Sequence, residues 1–218
     1  NVRLDQAWGS AQLSAAVHQI VLGNTYGAPA RFYGTEYGFA IQGGIKLNLP
    51  MLAAGDTLWL QAAYANGATD YAAPARNVAA GTYGLAAGTI VNADGYVTSL
   101  GSVKKATAWS VTASFVHNFT PTIQGAVFGG YGSLDYPGAT AVTGFNDFTN
   151  WSVGGQLSWL PVRGMRIGAE VMYNKIDPSG TVAIVRAGKT TLVKGSYDSW
   201  NVRVRFQRLG EAAYAAAP

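Results

Sequence analysis

Cysteine is absent from the 218-residue chain, which excludes a disulfide framework and a thiolate metal site. Charge is scarce. Asp, Glu, Lys and Arg make up 12% of the residues, about half the share of an ordinary soluble domain. Long apolar runs are missing too. The longest charge-free stretch, 106–134, contains Pro121, several glycines and many Ser and Thr, whereas a spanning helix needs about 20 mostly apolar residues in succession. Histidine is rare: His18 and His117 are far apart and no His-x-x-x-His spacing occurs, so neither metal ligation nor catalysis is expected of them. No phosphate loop or dinucleotide fingerprint is present. The Gly-Gly pairs beginning at Gly43, Gly129 and Gly154 fall inside strand patterns, where glycine lets a sheet curve or pack closely. The expectation is a protein without a cofactor and without enzymatic activity.

What the chain does contain is alternation. Trp200-Asn201-Val202-Arg203-Val204-Arg205-Phe206-Gln207 has a strict period of two, which in a strand sends one set of side chains to each face. The same pattern marks Val2 to Asp5, Ala11 to Ile20, Glu36 to Asn48, Thr57 to Asn66, Ala106 to His117, Ile123 to Tyr131, Trp151 to Trp159 and Met165 to Asn174. About nine strands of roughly ten residues result. Phe39, Ile41, Val111, Phe115, Val153, Leu157, Val202 and Val204 fall on the apolar side of these patterns.

The connections alternate in length. Short turns are expected at 8–10, 49–56, 118–122 and 160–164, and long loops at 21–34, 67–105, 134–150 and 177–198. Short turns on one side and long loops on the other characterise outer-membrane barrels, in which apolar residues face lipid and polar residues face water. Tyr and Trp near strand ends, among them Trp8, Tyr37, Tyr64, Trp109, Tyr131, Trp151, Trp159, Tyr173 and Trp200, fit interfacial girdles. A mean hydropathy of +0.10 suits a barrel, because only alternate residues must be apolar. A soluble β-sandwich explains the alternation but not the two-sided loop lengths.

The fold expected is therefore all-β: a transmembrane antiparallel β-barrel. Its polar face offers Arg3, Gln42, Lys46, Gln156, Arg166, Glu170, Arg203 and Arg205 as candidate pore-lining residues. Between Pro161 and Arg208 nine basic residues accompany three acidic ones, although the whole chain is only +4. Arg166, Arg203 and Arg205 either form solvated or Glu170-paired wall residues or bias a pore toward anions. Arg186, Lys189 and Lys194 precede the last strand and could meet anionic lipopolysaccharide or simply be solvated. A nucleic-acid partner is not expected, because the basic residues lack a recognition helix and the aromatics lie on the opposite face.

Several blocks resemble a known family. Val2-Arg3-Leu4-Asp5-Gln6-Ala7-Trp8-Gly9-Ser10-Ala11-Gln12 is similar to a stretch of the alphaproteobacterial general porins, the rhizobial and brucella-like type. Gly55-Asp56-Thr57-Leu58-Trp59-Leu60-Gln61-Ala62-Ala63-Tyr64-Ala65 and Ser199-Trp200-Asn201-Val202-Arg203-Val204-Arg205-Phe206-Gln207-Arg208 also resemble it. The resemblance implies a homotrimeric, 16-stranded porin in the cell outer membrane, in contact with lipid and lipopolysaccharide and passing small hydrophilic solutes. It implies further that 1–208 is the C-terminal portion of the barrel, with an inward-folded constriction loop upstream. The chain opens without Met, charged n-region or apolar h-region, inside a strand pattern. Either processing precedes Asn1 or earlier strands lie upstream. Such porins usually end at an aromatic residue, whereas here an Ala-rich tail, 209–218, follows Phe206 and Arg208. A non-channel barrel with a structural role is the alternative reading.

Overall fold

The computed structural model describes residues 1–24, 31–72, 92–98, 102–138, 146–180, 182–186 and 189–208. The elements in chain order are strands β1 (Val2–Gln6), β2 (Gly9–Asn24), β3 (Arg31–Asn48) and β4 (Thr57–Asn66), a 3-10 turn at Thr69–Tyr71, and a small hairpin of β5 (Gly95–Val97) and β6 (Val103–Lys105). Then come β7 (Thr107–Thr120), β8 (Ile123–Asp135), β9 (Phe148–Trp159) and β10 (Met165–Pro178), a second hairpin of β11 (Val182–Arg186) and β12 (Lys189–Val193), and β13 (Tyr197–Arg208). Among the described residues no helix is long and apolar enough to cross a membrane, a statement that does not bear on strands.

Nine strands form one sheet in the order β1-β2-β3-β4-β7-β8-β9-β10-β13, and every neighbouring pair is antiparallel. Sequence neighbours are thus spatial neighbours, as in an up-and-down barrel wall. The sheet does not close: β1 and β13 are its two edges. Connections alternate between its ends, the short turns at one and the long connections at the other. At the turn end, the Asn48 amide donates to the Trp8 carbonyl at 2.7 Å, joining the β1–β2 turn to the end of β3, and Leu49 N–H donates to the Asp56 carbonyl at 2.9 Å, closing the turn between β3 and β4.

The strands run further than the alternation alone indicates. β2 continues to Asn24 and β3 begins at Arg31, so most of the loop expected at 21–34 is strand. β8 ends at Asp135 and β9 starts at Phe148, which shortens the connection expected at 134–150. The segment expected as a loop at 177–198 carries the β11–β12 hairpin. Pairing with a neighbour holds these ends in strand form although Gly23, Asn24, Gly34 and Asn150 are poor strand formers. The tail 209–218 lies outside the described residues.

One buried carboxylate fixes the turn end. Asp56 is 1% exposed. It accepts a hydrogen bond from the Asn118 backbone amide at 2.9 Å and contacts His117 Nδ1 at 2.6 Å. The Asn118 side chain donates to the Ala54 carbonyl at 3.2 Å and receives a bond from Gln124 Nε2 at 2.9 Å. Asp56 thereby joins the turn before β4 to the turn after β7. Burial alone would raise its carboxyl, but the bonds from His117 and Asn118 outweigh that and leave it below the ordinary value of 3.8. The contribution of such a group is complete above its unfolded value and is lost as pH falls through the lower folded one. The substitution Asp56→Ala should cost roughly 1–3 kcal/mol, the penalty for leaving buried donors unpaired. Urea unfolding from detergent micelles at neutral pH measures it, and the gap between Asp56→Ala and the parent should shrink as the pH drops below the ordinary carboxyl value of 3.8.

Candidate functional site

The two faces of the nine-stranded sheet differ in chemistry from edge to edge. Cα partners in an antiparallel ladder share a face, so the register can be followed across the sheet. Arg3 pairs with Gln12, Gln12 with Gly44, Gly44 with Gln61, Gln61 with Thr112 and Thr112 with Gly130. Gly130 then pairs with Ser152, Ser152 with Asn174 and Asn174 with Ser199. This row holds only Arg, Gln, Gly, Thr, Ser and Asn. A parallel row on the other face runs through Leu13, Gly43, Ala62, Val111 and Tyr131 to Trp151.

All eight candidate residues lie on the polar face, gathered into two groups. Arg3, Gln42 and Lys46 stand on β1 and β3 with Ser10, Gln12 and Ser14 between them. Gln156, Arg166, Glu170, Arg203 and Arg205 stand on β9, β10 and β13. Arg3 is bound to Asp5 through a 2.7 Å ion pair. Glu170 pairs in register with both Arg203 and Gln156, Arg166 with Gln207, and Arg205 with Gly168. Glu170 therefore stands directly opposite Arg203 and diagonal to Arg205, while Arg166 is four residues away along the same strand. The buried Nε of Arg166 has no hydrogen-bond partner. The two groups lie toward opposite edges of the sheet, and the open sheet does not bring them together.

A concavity of about 400 Å³ in this face is lined by Arg3, Gln42, Lys46, Trp59, Gln61 and neighbouring hydroxyls. Trp59 interrupts the polar pattern: it faces the same side as Lys46, whose ammonium lies 5.3 Å from its ring centroid. That cation–π contact keeps a large aromatic on a hydrated face. Period two places Trp59 here, but only the cross-strand register reveals its partner.

The opposite face is apolar and exposed. Val202, Val204, Val153 and Leu157 are 78%, 61%, 52% and 56% exposed, as surface residues rather than core. Toward the long-connection end a row of aromatics crosses the sheet. Phe39 and Tyr64 lie with centroids 6.0 Å apart, Trp109 and Tyr131 5.4 Å, Trp151 and Tyr173 5.1 Å, and Tyr173 and Trp200 5.0 Å. Trp8, Trp159, Phe119 and Phe206 are exposed toward the turn end. On β9, Trp151 and Trp159 are separated by about 27 Å along the strand, or about 20 Å after a barrel-like tilt, close to the height of a lipid-facing apolar band. Lys189 and Lys194 are exposed at the long-connection end, while the side chain of Arg186 lies outside the described residues.

An all-β sheet with an apolar, aromatic-girdled outer face and a polar inner face defines an outer-membrane β-barrel. The family model described as "Porin subfamily" matches residues 1–202, and the chain belongs to that family. Among solved structures, the outer membrane channel DcaP of Acinetobacter baumannii is similar in fold, with a TM-score of 0.55 at 14% identity, over 93% of this chain and 49% of that one. The chain thus spans about half the length of that structure. A comparison with curated protein sequences gives no match.

Face identity makes a direct test possible on β9. The substitution Leu157→Arg places a charge on the apolar face two residues inside Trp159, between midplane and interface, and should cost about 1–2 kcal/mol. Gln156→Arg, one residue away on the polar face, should be near neutral. Folding into lipid vesicles, followed by urea titration, compares them. Equal penalties would contradict the assignment of faces.

Proposed function

We propose that the chain forms part of the wall of an outer-membrane channel through which small hydrophilic solutes and ions diffuse passively. The observation that carries this reading is the uninterrupted polar row from Arg3 to Ser199, set back to back with an exposed apolar face. In lipid such a sheet is stable only as a closed barrel, because each unpaired edge group costs several kcal/mol. Seven further strands would complete a barrel of 16, the number implied by the sequence resemblance. The same resemblance supports the alphaproteobacterial porin type, a homotrimer and contact with lipopolysaccharide at the long-connection end. In this reading Arg3, Gln42, Lys46, Gln156, Arg166, Glu170, Arg203 and Arg205 face the water-filled pore.

The basic group on β10 and β13 then sets a field inside the channel. Arg203 and Arg205 are about 7 Å apart along one strand face, and guanidinium groups remain charged at every relevant pH. Their field decays over about 8 Å at physiological salt, so it reaches solute passing along this side of the pore. Replacing Arg203 and Arg205 with Gln in the full-length protein should move the reversal potential across a salt gradient toward cations, with a smaller shift at high salt. An unchanged potential in a folded, conducting channel would reduce these arginines to solvated wall residues.

A further inference from the structure

The buried core does not lie where a membrane barrel would be expected to hide apolar residues. Ala40, Ala63, Ala65 and Ala108 are all buried, and all four belong to the polar face. What covers them is the chain that leaves β4. Ala68 and Ala72, flanking the 3-10 turn, and Tyr96 of β5 are buried in the same cluster. Ser110, also on the polar face, donates its hydroxyl to the Ala72 carbonyl at 2.7 Å. We infer that the described parts of the connection between β4 and β7, residues 67–72, 92–98 and 102–106, form an inward-folded channel element that narrows the pore at its long-connection mouth, clasped to the wall by His18 and Asp94. The inference rests on the channel reading above.

Three features make the element a built structure rather than a draped loop. Its base is closed: the Gly67 amide donates to the Ala106 carbonyl at 2.8 Å, and the Ala106 amide to the Asp94 carbonyl at 2.9 Å. Its side is clasped: one Asp94 carboxylate oxygen lies 2.9 Å from His18 Nε2 on β2, while the other accepts the Thr69 amide and hydroxyl at 2.6 and 3.0 Å. Its approach is cleared by small residues. A Cβ at Gly38 would lie 1.9 Å from the Gly67 carbonyl oxygen, and Gly67 itself takes φ +66°, which a side chain rarely adopts. At its far side the Ala93 amide donates to the Tyr136 hydroxyl at 2.8 Å, and burial pushes that phenol up to about 12, so it stays a neutral partner.

Depth decides that this is a pore element and not a cap above the barrel. Ala40, Ala63 and Ala65, and Ala108 flank Phe39, Tyr64 and Trp109 in sequence, residues of the outward aromatic row. The element therefore lies at the level of the membrane interface, inside the mouth. Thr69 is buried at 1% exposed, bonded to Asp94, while Tyr71, two residues on, is 52% exposed on the polar-face side of the sheet, where the turn lies. In a closed barrel the polar face surrounds the pore, so an exposed side chain on this turn, Tyr71, takes up cross-section that solute would otherwise use.

These 218 residues hold no cysteine, so a thiol introduced among them is labelled against a parent treated with the same reagent. In the full-length channel, Tyr71→Cys should conduct, and a bulky methanethiosulfonate reagent added from the long-connection side should produce a stepwise loss of single-channel conductance that reductant reverses. Met51→Cys, on a turn and 74% exposed, should react without a change. Release of the clasp by His18→Ala should raise conductance and open-channel noise, and Asp94→Asn should reproduce this with no added effect in the double variant. Complete labelling of the Tyr71→Cys variant, verified by mass, with conductance unaltered would overturn the inference while leaving the porin reading intact. Unchanged conductance and noise in both clasp variants would overturn the role given to His18 and Asp94. Folded variants and parent that all fail to conduct would remove the porin reading itself, and the inference with it.

Discussion

The constraint behind this structure is that backbone amides and carbonyls find no partner in hydrocarbon. A sheet meets it by pairing every strand with both neighbours, and each pairing then dictates the next. The nine strands run as one uninterrupted antiparallel ladder, so once β3 has its polar residues on one side, register carries that choice through β4 and β7 to β13. A slip of one residue anywhere would turn an entire strand's polar set to lipid. The apolar face needs no core partner under this arrangement. Its solvent is lipid, which is why Val202 and Phe206 can stay largely exposed.

Period two made the main part of this legible. Residues such as Arg203 and Val204, or Gln156 and Leu157, declare opposite faces by composition alone, and register puts the eight candidates on one shared polar face. What composition could not supply was pairing. That Glu170 stands against Arg203 rather than Arg166, and that Lys46 caps the ring of Trp59, follow from cross-strand register. Strand ends extend beyond the pattern for a related reason. Gly23, Asn24, Thr149 and Tyr197 do not continue a clear alternation and are held by their neighbours.

The larger gap concerns the long segment after β4. In sequence it reads as low-contrast Ala, Gly and Thr. The alanines of the wall beneath it, Ala40, Ala63, Ala65 and Ala108, look equally uninformative, since alanine suits either face. Their meaning is mutual. Small residues on both sides permit a backbone to lie flat against a sheet, and the resulting contact is buried although no single side chain contributes much area. His18 carried the visible signal: a titratable residue at period two with Gln12 and Ser14, placed on the polar face and facing a partner on another segment.

The two ends of the sheet thus solve different problems with similar means. At the turn end, Asp56 gathers His117 and Asn118 so that consecutive turns move as a unit. At the other end, Asp94 gathers His18 and Thr69 so that the 3-10 turn after β4 is held against the polar face of the sheet. In each case one carboxylate accepts from a backbone amide and from a side chain on a distant strand, which converts local chain geometry into a tertiary tie. The difference lies in exposure. Asp56 is buried, and removing it leaves donors without water. The Asp94 side chain is 26% exposed and that of His18 39%, so water can replace the clasp at modest cost. A tie that is cheap to open suits the channel element proposed above, whereas the buried tie suits an end of the sheet that only has to keep its shape.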